Sequence, residues 1–205
     1  MQCRHCGTDL NIKFLDLGNS PPSNAFVSSD NIEILEKWYP LRVLVCDSCW
    51  LVQTDDFIDP AEIFKPEYAY FSSISSYFLE HAKKYVENMT ARFSLNENSL
   101  VAEVAANDGY LLQYVKDQGI PCYGIEPTES AANIADSRGI QVIRQFFCKK
   151  LANILTNSGR TVDLAVANNV LAHVPNINDF VGGFNLLLKP QGVATFENPH
   201  LLKLI

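Results

Sequence analysis

Two Cys-x-x-Cys pairs fall within the first fifty residues, Cys3-Arg-His-Cys6 and Cys46-Asp-Ser-Cys49, with thirty-nine residues between them. A two-residue spacer lets a tight turn aim both thiolates at one ion, and a tetrahedral zinc site needs four such ligands. Cys3, Cys6, Cys46 and Cys49 are therefore the expected metal ligands, with zinc in a structural role. A segment this short buries too little core to hold itself, so a metal staple answers its need. The chain thereby divides into a small metal-bound unit over residues 1–60 and a larger remainder where the chemistry is to be sought.

At 205 residues, 47% hydrophobic and 19% charged, the chain suits one ordinary globular domain beside a small one. No run approaches the ~18 apolar residues of a membrane span. No basic stretch followed by an apolar one opens the chain, so no secretory signal is visible. Six cysteines without such a signal point to a reducing cytoplasm, where paired cysteines bind metal. Cys122 and Cys148 read as small buried apolar residues. The formal charge is −7, and residues 1–60 carry nine acidic against four basic side chains. A zinc module that grips nucleic acid needs a basic face to displace phosphate counterions. Neither nucleic acid nor membrane is expected as a partner.

Within the first unit, Leu41-Arg-Val-Leu-Val45 predicts a strand entering the second Cys pair, and Gly18 to Phe26 reads as loop, with Pro21 and Pro22 inside it. An asparagine there reads as a loop cap, with a substrate contact as the alternative. Asp59-Pro60 and Lys65-Pro66 punctuate the join. A connector over residues 61–95 follows, with Tyr68-Ala-Tyr-Phe-Ser-Ser73 leading into a helix that reaches Phe93. Phe78, Ala82, Tyr85 and Met89 recur along one face of that helix.

From about residue 96 to 205, short apolar strands alternate with helices. Strands are predicted at Leu100–Ala105, Pro121–Glu126, Ile140–Ile143, Val162–Ala167 and Gly192–Glu197. Such alternation implies an α/β domain with a parallel sheet covered on both faces. Ligands of such sheets bind at the carboxyl ends of the strands. Three features fall there. Glu103-Val-Ala-Ala-Asn-Asp-Gly109 is a turn with an acid, small residues and a glycine. Glu126 ends the second strand, where a carboxylate can accept both hydroxyls of a ribose. His173, in Asn168-Asn-Val-Leu-Ala-His173, lies just beyond the fourth.

The ordered set of both Cys pairs, Tyr-x-Tyr-Phe-Ser-Ser, Glu-x-x-x-Asn-Asp-Gly, Gly-Ile-Glu-Pro and Asn-Val-Leu-Ala-His-Val-Pro-Asn resembles S-adenosylmethionine-dependent C-methyltransferases of nucleotide-linked deoxysugars. The resemblance implies a zinc domain on a Rossmann-like methyltransferase core, and methyl transfer to a carbon next to the ketone of a 4-keto sugar. It implies that Glu103, Ala105, Asn107, Asp108, Gly109, Asn168, Glu126 and Pro127 contact the cofactor, Glu126 through the ribose, with Phe146 and Phe147 flanking the adenine. Tyr68, Tyr70, Asn169 and His173 match its substrate-facing, catalytic residues. Ala105 stands where the family has glycine. The family runs on for about as many residues again, including a Tyr-His-Glu-His-like segment. The expectation is thus a truncated chain that keeps cofactor binding and lacks part of the catalytic apparatus. Its fifth strand would be an open edge, favouring association of two copies. The alternatives are a non-catalytic cofactor- and zinc-binding assembly module and, third, a nucleic-acid methyltransferase.

Overall fold

The computed structural model describes residues 1–55, 57–65 and 68–203. Pro66 of the Lys65-Pro66 punctuation and the chain's last two residues, 204 and 205, lie outside these.

The first unit is a three-stranded antiparallel sheet in the order β1-β2-β3, with β1 at Ile12–Ser20, β2 at Tyr39–Val45 and β3 at Val52–Thr54. The strand read at Leu41–Val45 is thus longer by two residues at its start. The loop read from Gly18 begins later, because Asn19 and Ser20 still pair with Pro40 and Tyr39. They do so only after a register shift between Asp16 and Asn19, where Gly18 takes a left-handed φ of 76°. Such an irregular continuation has no period-2 signature.

A short helix α1 at Pro60–Ile63 is capped by Asp59, whose Oδ1 accepts the Ala61 N–H at 2.9 Å. Helix α2 at Ser76–Phe93 starts on the Ser75 hydroxyl and stops where Ser94 turns left-handed. Its predicted face holds: Ala82 and Val86 are buried, and Phe78, Tyr85 and Met89 pack on the same cluster.

Five parallel strands follow: β4 (Val101–Val104), β5 (Cys122–Ile125), β6 (Gln141–Ile143), β7 (Val162–Asn168) and β8 (Leu188–Glu197). Helices α3 (Leu112–Asp117), α4 (Glu129–Ser137), α5 (Lys149–Asn157) and α6 (Ile177–Leu187) alternate with them. The sheet order is β6-β5-β4-β7-β8. Strand order therefore reverses between β4 and β7, and a crevice opens at their carboxyl ends. Two apolar layers cover the sheet. One gathers Phe147, Phe180, Phe184 and Leu187; the other gathers Leu111, Leu112, Ile140 and α2. Fully burying a Leu or Phe contributes about 1.5–3 kcal/mol each. Strand β8 begins four residues earlier than read, through an irregular pairing of Leu188 with Val162 before the regular register from Val193. Among the described residues no helix is long and apolar enough to cross a membrane.

Candidate active site

The four thiols converge. Cys3 and Cys49 Sγ lie 3.6 Å apart and Cys6 and Cys46 Sγ 3.5 Å apart, with all four within 4.8 Å of one another. These separations exceed the ~2.05 Å of a disulfide and approach the ~3.8 Å edge of a tetrahedron with Zn–S bonds of about 2.3 Å. The donor set fits zinc. Gln53 Nε2 donates to Cys3 Sγ at 3.3 Å, a hydrogen bond that orients the ligand. Arg4 reaches across to the carbonyl of Val174 at 3.3 Å, and His5 pairs with Asn178 at 2.8 Å. The Cys cluster is thereby docked on the segment just after His173.

A cavity of about 480 Å³ lies at the carboxyl ends of β4, β5 and β7. All four predicted catalytic residues line it, Tyr68, Tyr70, Asn169 and His173, together with Ala105, Asn107, Glu126, Pro127, Phe146, Phe147 and Asn168. Of the predicted set, only Glu103, Asp108 and Gly109 stand behind the wall rather than in it.

The turn from β4 to α3 forms its floor. Ala105, Asn107 and Gly109 all take left-handed backbone, with φ of 59°, 49° and 76°. A non-glycine residue pays roughly 1–2 kcal/mol there. Ala105 is held so because its N–H and that of Ala106 both donate to the Ile125 carbonyl, at 2.8 and 3.2 Å. At Gly109 a Cβ would meet Ile140 Cδ1 at 2.5 Å and Ala135 Cβ at 3.2 Å. Close packing of α4 and Ile140 against the turn therefore requires glycine at this position.

Glu126 is the pivot. It is 5% exposed, and its Oε2 accepts the Asn107 N–H at 2.9 Å while Oε1 accepts the Thr128 N–H at 2.8 Å. A carboxylate can accept about four hydrogen bonds, so capacity for a ligand hydroxyl is left beyond these contacts. Burial raises its pKa, against the pull of the Thr128 hydroxyl and of these N–H donors. Glu103 is fully buried on β4, and both its oxygens lack a hydrogen-bond partner. Burial first, then the charges of Glu126 and Asp108, push its pKa well up. Asp108 Oδ1 is likewise without a hydrogen bond, 3.8 Å from Arg138 Nη1. Glu103 and Asp108 thus keep oxygens without a hydrogen bond beside Glu126, a cluster whose mutual repulsion a nearby positive charge would offset.

Across the cavity, Asn168 ends β7. Asn169 is left-handed, φ 54°, its N–H fixed on the Glu197 carbonyl at 2.7 Å. His173 closes a 3₁₀ turn at Leu171–His173. It keeps solvent contact, yet the surrounding wall partly desolvates it and lowers its pKa. Phe64 packs its ring edge against both His173, at 6.1 Å between centroids, and Tyr68, at 5.2 Å. Sequence reading missed Phe64, for nothing marks one phenylalanine in a short connector. It also missed Tyr110, although that residue directly follows the Gly109 turn. Phe147, read beside an adenine, is built into an aromatic cluster with Phe180 and Phe184 at 5.6 and 4.8 Å; Phe146 is the more exposed of the pair, at 46%. Behind the site, His81 bonds Glu197 at 2.6 Å, and the Tyr85 hydroxyl bonds that of Thr195, tying α2 to β8.

Residues 78–203 match a family described as "Methyltransferase domain". The chain belongs to this methyltransferase-domain family. Residues 3–64 match a second family, "Putative zinc binding domain", which spans the Cys cluster. The C-methyltransferase NovU of Streptomyces niveus is 28% identical over 204 residues; the chain is covered completely and spans 48% of NovU, about half the length of that relative. The crystal structure of DesVI from Streptomyces venezuelae superposes with a TM-score of 0.51 at 18% identity, over 73% of this chain and 61% of that one. That likeness bears on the fold alone, and agrees with the Rossmann-like order of the methyltransferase domain.

Proposed function

We propose that this methyltransferase domain binds S-adenosylmethionine and belongs to an enzyme that methylates a carbon next to the ketone of a nucleotide-linked 4-keto deoxysugar. The likeness to NovU, a C-methyltransferase, along the entire chain supports the reaction class. The observation that carries the reading is Glu126, a buried carboxylate at the end of β5 that lines the cavity wall, its two oxygens oriented by the Asn107 and Thr128 N–H groups. It suits the two hydroxyls of a ribose. Glu126 in the wall, with Asp108 behind it, suits a sulfonium and an ammonium group nearby, and Phe146, backed by the Phe147 cluster, suits a flat base.

When bound, the cofactor supplies an electrophilic methyl group to a carbon nucleophile. The chain's own residues prepare that nucleophile. A carbon next to a ketone must lose a proton, and His173, held neutral by partial desolvation, is the base within the cavity. Tyr68, Tyr70 and Asn169 offer donors to the oxygen on which charge develops. Phe64 limits water beside the histidine. Zinc on Cys3, Cys6, Cys46 and Cys49 is structural, with no part in the proton transfer. We assign the zinc unit to residues 1–60, the connector to 61–95 and the cofactor domain to 96–205, in a cytoplasmic protein.

Calorimetric titration with S-adenosylmethionine, repeated on Glu126→Ala, tests the cofactor. Micromolar binding that disappears in the variant is expected; an unchanged affinity would remove Glu126 from the ribose. Incubation with a 4-keto nucleotide sugar and the cofactor, read by mass spectrometry for a gain of about 14 Da, tests transfer separately, one methylene being the expected net addition. Binding without that gain would favour the non-catalytic assembly module.

A further inference from the structure

Asn107 and Asp108 carry side chains of the kind that face a cofactor, yet their hydrogen bonds run elsewhere. Asn107 Oδ1 accepts the Ser72 N–H at 2.8 Å, and its Nδ2 donates to the Tyr70 carbonyl at 3.0 Å. One side-chain amide thus imitates a neighbouring peptide, bonding a donor and an acceptor two residues apart. The reverse orientation of the amide would set like groups against each other at both ends. Asp108 Oδ2 accepts the Ser73 N–H at 3.2 Å and the Ser73 hydroxyl as well. Arg138 completes the set, Nη2 donating to Ser73 Oγ at 2.9 Å and Nη1 to the Asp108 carbonyl at 2.7 Å. Asp108 is fully buried while making these bonds.

We infer that Asn107 and Asp108 are positioning residues, clipping the Tyr68–Ser73 segment to the β4–α3 turn and so setting Tyr68 and Tyr70 in the cavity. The clip starts from the cavity floor: the backbone N–H of Asn107 donates to Glu126, and its side chain holds Tyr70 and Ser72. An occupant that engages Glu126 therefore acts on the tyrosine segment through one residue. Two sites joined this way are linked reciprocally: filling one orders the other. Only the identity of that occupant rests on the proposed function; the clip itself does not.

Hydrogen exchange on the full chain separates these parts. Asn107→Asp keeps the acceptor for Ser72 but loses the donor to Tyr70 and turns a charged oxygen toward its carbonyl. Ser73→Ala removes the hydroxyl shared by Asp108 and Arg138, at a half-buried position outside the cavity lining. Without ligand, amides of residues 68–73 should exchange about tenfold faster in Asn107→Asp and about threefold faster in Ser73→Ala, as the loss of one or two hydrogen bonds implies. Amides of β4 should be unchanged. Added S-adenosylhomocysteine should slow the same segment in the unaltered protein by roughly threefold, an effect that shrinks in both variants. Wild-type exchange over 68–73 in both variants would overturn the clip, as would acceleration shared equally with β4 in both. Should the unaltered protein show neither slowing nor binding heat with S-adenosylhomocysteine, the cofactor reading falls, while the ligand-free contrast still decides the clip.

Discussion

Asn24 Nδ2 donates to the Tyr68 hydroxyl oxygen at 3.1 Å, joining a loop of the zinc-family unit to a tyrosine of the methyltransferase cavity. Asn24, one of two asparagines in the stretch read as loop, thus neighbours the candidate site. Its own backbone is left-handed, φ 61°, which aims the amide back toward the connector. The Ser130 hydroxyl holds the Tyr68 carbonyl at 3.2 Å, so the residue is fixed at both ends.

A double-mutant cycle of Asn24→Ala and Tyr68→Phe should return a coupling of about 1 kcal/mol in urea unfolding, the net worth of one such bond. Additive effects would mean that the two side chains do not interact in solution.

Replacing Ala105 by glycine should stabilise the chain. The left-handed backbone costs alanine roughly 1–2 kcal/mol, and glycine returns about 0.5–1 kcal/mol of that as extra chain entropy. A net gain of about 0.5–1 kcal/mol in unfolding free energy is expected, read as a higher urea midpoint with no change in slope. A loss would indicate that the methyl group packs more usefully than the turn resists it.

Glu103→Gln should raise stability at pH 8 and leave it unchanged near pH 4. The folded pKa of Glu103 stands well above the ordinary 4.5, chiefly through burial. Below 4.5 both folded and unfolded chains hold the proton, so the carboxyl costs nothing extra. As pH rises toward the folded pKa, the unfolded chain ionises first and gains, and the native state loses ground. An isosteric neutral amide removes that slope. Thermal melts across this range should show a gain of about 3 °C for each kcal/mol recovered. An equal gain at both pH values would locate the effect in packing.

Removing the metal should reach the cavity. Cys46→Ser should abolish stoichiometric zinc in elemental analysis and destabilise the β1-β2-β3 sheet, since Cys46 is fully buried directly after β2. Because Arg4 and His5 hold Val174 and Asn178, amides of residues 173–178 should exchange faster as well. Faster exchange confined to residues 1–55 would mean that the docking contacts survive metal loss.

The core sheet was legible in the sequence because its strands are short apolar runs alternating with helices, and three of them, β4, β5 and β7, lead into polar turns at their carboxyl ends. Glu126 and His173 stand out on that ground alone. The tertiary uses of the turn were not legible. Gly109 reads as the glycine of a strand-to-helix turn, and only the structure shows that Ile140 and Ala135 of α4 pack where its Cβ would lie. Asn107 and Asp108 have the chemistry of cofactor contacts, but the path of residues 68–73 decides what their side chains meet. Phe64 gains its place from how the connector folds back onto the 3₁₀ turn, a contact no local pattern encodes. β1 escaped because its register shift at Gly18 breaks the alternation on which strands are read.

The docking of Arg4 and His5 on Val174 and Asn178 spans 170 and 173 residues of sequence. At a synthesis rate of roughly 5–20 residues per second, these partners emerge about 9–35 s after the first Cys pair leaves the ribosome. Until then the nascent sheet has no surface to rest on, and its thiols, as they emerge, stand open to oxidants and competing ions. Early capture of the metal therefore guards the young chain against misdirected cysteine chemistry, a service rendered before any cavity exists.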